Sequence, residues 1–290
     1  MRTVSFAKVE DMYARFEDLK KEDVDELDKW VIEQPHLPSV SEMELIQFIH
    51  SNYFDMDAAK RTIEAYFTFR TNCKEFFSDK DVLAPALQRT MDVIAISLLP
   101  ENTEEGYKVL FAKVIDSDAS KFSLSAILKL AFVCVDILLW QEGCAEGNVL
   151  IIDMNGIHLG HLPKLSIFTL KNFLYYIQEA LPIRLKGVHL INVVPFIDRI
   201  MMMIKPFLKK ELLEMFHIHK REESLYPFVP RRMLSCEYSG NAPTIMALKK
   251  QLYDNVIEYR SLILEKESLQ KVDETKRIKT RTLSNMFGLF

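Results

Sequence analysis

From about residue 105 onward, short apolar runs of strand length alternate with longer segments of helical period, and no other feature narrows the possible folds as much. Parallel neighbours in a sheet need a crossover of a dozen residues or more, so strands separated by helix-length stretches imply an α/β layer. The predicted strands are residues 109–115, 149–153 and 188–192, and the predicted helices are 123–142, 164–181 and 196–216. Upstream, the pattern is helical throughout. Leu45, Ile46 and Ile49 share one face of a helix over 42–50. Ala59, Ile63, Tyr66, Phe67 and Arg70 follow helical spacing behind Asp55 and Asp57, which suit an N-cap. The prolines at 35 and 38 mark the loop between the earlier segments. Residues 265–282, dense in charge, are expected to extend as a solvated helix end or tail. The chain therefore divides into a helical unit over 1–85, an α/β domain over 86–245 and a C-terminal helix with a charged tail over 246–290.

Composition removes several function classes. With 37 Lys and Arg against 41 Asp and Glu, the net charge of −4 supplies no global field for nucleic acid. The eight glycines form neither GxGxxG nor GxxxxGK[ST], so no phosphate-cradling loop is present. Cys73, Cys134, Cys144 and Cys236 show no CxxC spacing, which suits a reducing compartment. The N-terminal residues lack the apolar run of an export signal, and Arg2 stands where myristoylation needs glycine. The most apolar long stretch, 126–140, carries Lys129 and Asp136 and is shorter than a bilayer span. A cytoplasmic monomer that meets membranes transiently is the expectation.

No reactive constellation stands out. GxSxG is absent, and no arginine lies six residues after a cysteine. His217 and His219 would share a face if their segment were a strand, but no third metal ligand is near in sequence, and His189 reads as a hydrogen-bonded core histidine. No cofactor and no catalysis are expected.

Several segments, taken in order, resemble the CRAL-TRIO (Sec14-like) family of lipid-binding proteins, near its tocopherol-transfer and retinaldehyde-binding branch. They are residues 45–55 with Ala58, Ala59, Lys60, Phe69 and Arg70; Ile151 to Gly156, which includes Asp153; Leu181 to Asn192 with Lys205, Pro206, Phe207 and Leu208; and Leu234 to Gly240. Two departures stand out: residues 46–50 lack the arginines of the usual helix, and Ser239 replaces a glycine. The resemblance implies an α/β fold with a mixed sheet whose helices enclose a hydrophobic pocket, behind a small N-terminal helical unit. It further implies binding and intermembrane transfer of a retinoid, carotenoid or tocopherol-like molecule, with phospholipid exchange or a pocket-poor signalling scaffold as alternatives.

A carrier must remove several hundred Å² of ligand from water, and at about 25 cal/mol per Å² even about 400 Å² is worth roughly 10 kcal/mol before ordering costs. Helices apolar on more than one face are needed. Over 123–142 the candidate lining is Leu130, Val133, Cys134, Ile137 and Leu138, although by pattern alone this helix could equally be core between layers. Over 164–181 it is Phe168, Phe173, Ile177 and Leu181; the strands add Ile152 and Ile191; and Val193, Phe196, Ile200, Met203, Ile204 and Phe207 follow. The resemblance implies a mobile gate at Met201, Met202, Met203, Phe207 and Leu208, where flexible methionines suit repacking. It also implies that a basic cluster, here Arg184 and Lys186 with Lys209 and Lys210 as substitutes, meets anionic, phosphoinositide-containing membranes. Beyond Lys276, a basic stretch with Leu283, Met286, Phe287 and Phe290 at helical spacing could lie on a membrane or fold back.

Overall fold

The computed structural model describes residues 5–277, so the stretch at Leu283, Met286, Phe287 and Phe290 lies outside the described residues. Five helices open the chain: α1 (Val9–Arg15), α2 (Lys21–Ile32), α3 (Glu42–Ser51), α4 (Met56–Asn72) and α5 (Lys74–Phe77). Ser41 and Glu44 form a reciprocal capping box at the start of α3, and Asp55 caps α4 by accepting the Ala58 N–H at 2.9 Å. Between α3 and α4 the chain reverses through Tyr53 and Phe54, both left-handed with φ of 54° and 66°.

After α6 (Pro85–Val93) comes a five-stranded sheet: β1 (Ile94–Leu98), β2 (Tyr107–Val114), β3 (Gly147–Asp153), β4 (Leu185–Ile191) and β5 (Phe216–Ile218), in that spatial order. β1 runs antiparallel to β2 and every later pair is parallel. The sheet is thus mixed, as expected. Crossovers are made by α7 (Leu124–Glu142), α8 (Ile167–Glu179), and α9 (Ile197–Ile204) with α10 (Lys210–Glu214); α11 (Ile245–Glu258) and α12 (Arg260–Leu269) follow. The sequence signals missed β1 and β5. β1 follows α6 directly, with no turn residue to mark the change. β5 ends a stretch expected to be one helix over 196–216, which instead breaks at Pro206, where the backbone has no N–H to donate.

By length and composition α7 could cross a membrane, contrary to the expectation that this stretch is too short. It is instead a core helix. Phe132 packs on Phe76, Phe77 and Tyr176, and the other side meets β1, α11 and α12. Its Asp136 is buried and accepts from Arg70 Nη1 of α4 at 3.0 Å; Arg70 also donates to the Tyr176 hydroxyl at 3.0 Å and to Gln270 at 2.8 Å.

The segment beyond residue 265 is corrected from a solvated tail to a docked strap, as far as Arg277. Lys266 and Gln270 reach Glu44, Val272 N–H donates to Thr71, and Asp273 N–H donates to the His36 carbonyl. Some of its charges pair with α3 and α4, among them Lys266 with Glu44 and Arg277 with Glu64, while Lys276 pairs within the segment with Asp273.

One face of the sheet carries Val109, Phe111, Val149, Ile151 and Ile191, fully covered by residues 225–248. At its upper edge the carboxylate of Asp153 accepts from the Tyr238 hydroxyl at 2.5 Å, Asn192 Nδ2 at 2.9 Å and Asn155 N–H at 2.9 Å, with Lys113 Nζ at 3.3 Å. Three of the segments that carry the family resemblance therefore meet in a structural knot. Gly240 belongs to it for a steric reason: a Cβ there would lie 1.9 Å from the Leu234 carbonyl oxygen. Ser239, where the family has glycine, holds a left-handed φ of 56°.

Candidate functional site: an apolar seam over the sheet

The opposite face of the sheet is apolar but incompletely covered. Along β2 and β3, Val109, Phe111, Val149 and Ile151 point to the covered face and are buried, whereas Leu110, Ala112, Leu150 and Ile152 alternate with them and remain half-exposed. Leu110 shares a cluster with half-buried Ile127 and Ala131 of α7 and with Ile157 and Leu165 from the β3–α8 connection, and Leu150 and Ile152 share another with Ile157. Phe173 and Ile177 of α8, Ile197 and Ile200 of α9, Leu185 and Phe216 continue the surface. The half-buried residues stand where three buried clusters meet: Leu165 and Leu124 join the α7 cluster to the α8–α9 cluster, and Ile157 joins it to the one around Val188 and Leu190. Apolar side chains that stay accessible while surrounded by apolar neighbours line a seam able to accept apolar matter, and none of those named carries a charge.

The cations are committed elsewhere. Arg184 donates to the His50 carbonyl at 2.8 Å and lies 4.3 Å over the Tyr53 ring, and Lys186 donates to the Tyr53 hydroxyl at 2.9 Å. Burial holds the Arg184 guanidinium below its ordinary pKa. Together they pin the α3–α4 turn to the start of β4. Behind Arg184 a pocket of about 30 Å³, walled by His50, Leu138, Cys144 and Asn148, has room for a water or two and not for a lipid. Lys209 pairs with Glu179, and Lys210 lies 3.8 Å from Glu214. Changing Arg184 and Lys186 together to Glu is therefore expected to destabilise the protein by about 1–3 kcal/mol, through two lost charge-assisted contacts and the cation–π contacts of Arg184 with Tyr53 and Phe54 and of Lys186 with Tyr53 and Tyr107. A denaturant midpoint unchanged from wild type would show that the two cations are spare.

Residues 95–240, half of the chain, match the CRAL/TRIO domain. The chain belongs to the CRAL/TRIO family. Residues 16–87 match the Pinta-like UBA domain. Among curated relatives, the alpha-tocopherol transfer protein-like protein of Mus musculus is 28% identical over 214 residues, covering 72% of this chain and 62% of the relative. Its Homo sapiens counterpart is 27% identical over 219 residues with the same coverage. Clavesin-1 of Rattus norvegicus is 24% identical over 230 residues, 78% of this chain and 65% of the relative. The chain thus spans just under two thirds of these relatives' length. The crystal structure of Sfh5 superposes with a TM-score of 0.51 at 13% identity, covering 90% of this chain and 97% of that one, which supports the fold. CRAL/TRIO proteins bind and transfer lipids.

Within the CRAL/TRIO domain the structure redistributes the expected lining. Leu130, Val133, Cys134 and Ile137 are corrected from pocket to core: they face α6, β1 and α11 and are at most 1% exposed. Leu138 joins the same cluster, Leu181 packs on the N-terminal helices, and Ile191 lies on the covered face of the sheet. Phe168 and Met202 point to solvent, 65% and 66% exposed. Ile152, Phe173, Ile177, Val193, Phe196, Ile200, Met203 and Phe207 are half-buried around the clusters of α8, α9 and β4, with Leu208 beside them and Met201 and Ile204 buried beneath. Sequence reasoning missed Leu110, Ile127, Ala131, Leu150, Leu185 and Phe216. The period-2 alternation in β2 and β3 was the available signal for the strand residues among them, but it leaves open which face is covered.

Proposed function

We propose that the protein takes a hydrophobic small molecule, of retinoid, carotenoid or tocopherol-like size, into the seam between the sheet and α7–α9 and carries it between membranes without chemical conversion. The carrying observation is the accessible apolar sheet face, with Leu110 clustered with Ile127 and Ala131, and Leu150 and Ile152 with Ile197 and Ile200. The uncharged character of these residues favours an isoprenoid over a phospholipid, whose headgroup needs polar partners. Burial pushes the thiols of Cys73 and Cys144 up to about 12, so neither is a thiolate near neutral pH, which supports a binding role.

Membrane contact in this reading is made by the α8–α9 face, where Ile167, Phe168 and Met202 are exposed. An anionic headgroup, a phosphoinositide included, reaches Arg184 and Lys186 by displacing Tyr53. The test is an organic extract of protein purified from its native tissue, analysed by mass spectrometry. A stoichiometric isoprenoid is expected; a phospholipid would turn the reading to phospholipid exchange, and no lipid at all would favour a scaffold.

A further inference from the structure

β5 is a three-residue edge strand, and its two faces belong to different systems. Phe216 packs into the seam clusters with α8, α9 and β4. On the other face His217 pairs across the strands with His189, their rings stacked 4.8 Å apart at 15°, and His219 follows with its ring 5.1 Å from His189. His189 Nδ1 and His219 Nε2 are 2.9 Å apart, and His219 Nδ1 meets Ser224 Oγ at 2.7 Å. Phe228 closes the group at 4.7 Å from His189 and 4.6 Å from His217. His189 Nε2 is buried without a hydrogen-bond partner, turned against Gly187. β5 pairs with β4 over three residues, and beyond that ladder Val188 N–H donates to Met215 at 2.8 Å and His219 N–H to Leu190 at 2.9 Å.

Among the described residues, no carboxylate stands against the three rings to compensate a positive charge, and only a hydrogen bond at Ser224 favours the charged form of His219. From β4 the neighbour is Gly187, from β3 Ile151, and from residues 222–229 Ser224 and Phe228. The nearby carboxylate of Asp153 is committed to Tyr238, Asn192 and Lys113. Among the described residues, none of the three histidines has a carboxylate within salt-bridge distance; the one such histidine pair is His36 with Glu64.

We propose that His189, His217 and His219 form a proton-operated latch: protonating His189 and His219 parts β5 from β4, withdraws Phe216 from the seam and frees the α9–α10 segment that β5 anchors. Burial, with His217 and His219 adding like charge, holds His189 down at about 3, and burial also lowers His219. The sign follows. The closed state binds fewer protons than the open one, so its stability is complete above about pH 6.5 and is lost as pH falls below that value toward 3. For each proton taken up, every pH unit below about 6.5 raises the open-to-closed ratio about tenfold. An anionic leaflet at roughly −30 to −50 mV concentrates protons about three- to sevenfold at its surface, a drop of about 0.5 to 0.8 pH unit, so docking biases the latch toward opening where the bulk pH is already near 6.5. Its purpose rests on the proposed lipid transfer, but the latch can be tested without lipid.

The experiment is amide hydrogen exchange on the full chain, free of ligand and membrane, from pH 7.5 to 5.0 and corrected for intrinsic rate. Expected is a joint loss of protection in β5 and α9, about tenfold per pH unit below about 6.5, while β2 and β3 stay protected. His189→Gln removes the most strongly depressed of the three and should flatten that dependence; His217→Phe with His219→Gln, which keeps the ring packing should the first variant fail to fold, should weaken it. Protection independent of pH, an unchanged dependence in the variants, or fraying of β5 with α9 still protected would each overturn the latch.

Discussion

Replacing Asp136 by alanine is expected to cost about 3–5 kcal/mol, because it strands the buried Arg70 guanidinium without its carboxylate. Arg70 and Asp136 are each 3% exposed, and the side chains around them come from α4, α7, α8 and the strap after α12. Lys80 lies 3.8 Å from the same carboxylate, and burial holds it down at about 8. Removing Asp136 therefore leaves two cations in a low-dielectric interior. Urea denaturation measures the loss, and Arg70→Met added to Asp136→Ala should recover part of it, since an apolar pair of similar volume avoids both desolvation penalties. A loss under about 1 kcal/mol for the single change would mean that water reaches Arg70, and that the N-terminal helices are held by apolar packing alone.

The second large effect concerns the seam. Ala131 of α7 is half-buried in one cluster with Leu110, and tryptophan there adds a bulk that an open seam can accept but a close-packed core cannot. Ala131→Trp is expected to reduce uptake of the extracted isoprenoid at least about 100-fold, which corresponds to about 2.7 kcal/mol of binding energy. Its unfolding midpoint should stay near that of wild type. Cys134→Trp, three residues along the same helix but turned to the closed cluster of β1 and α11, should instead unfold the protein. Equal damage from both would identify the seam as ordinary core; fluorescence titration and thermal melts on the two variants separate the cases.

Much of the architecture was legible before any coordinates. Apolar runs bounded by polar loops located β2, β3 and β4, because a strand buried between two helical layers has no polar residues to spare. Asp55 announced α4 through its capping chemistry. β1 and β5 were not legible: five and three residues are too short to express a period, and each abuts a helix with no glycine between.

The site itself divides along the same line. Local sequence determined the elements, the apolar character of α7 and the family, since each depends on residues within one or two turns or on ordered motifs. Which face of α7 meets the core and which meets the seam was decided by tertiary structure, because α7 is apolar nearly all round and carries no amphipathic stripe to orient it. Only the fold could set Arg184 and Lys186 against Tyr53, 133 positions away from Lys186, and so turn cations that suited a membrane into contacts that hold two parts of the molecule together. The histidines are the same case: His189 lies 30 positions before His219, and only the parallel register of β4 with β5 brings their rings into contact. Hydrophobic period and capping are written in neighbouring residues, whereas burial, pairing and the resulting proton affinity arise from partners that sequence distance conceals.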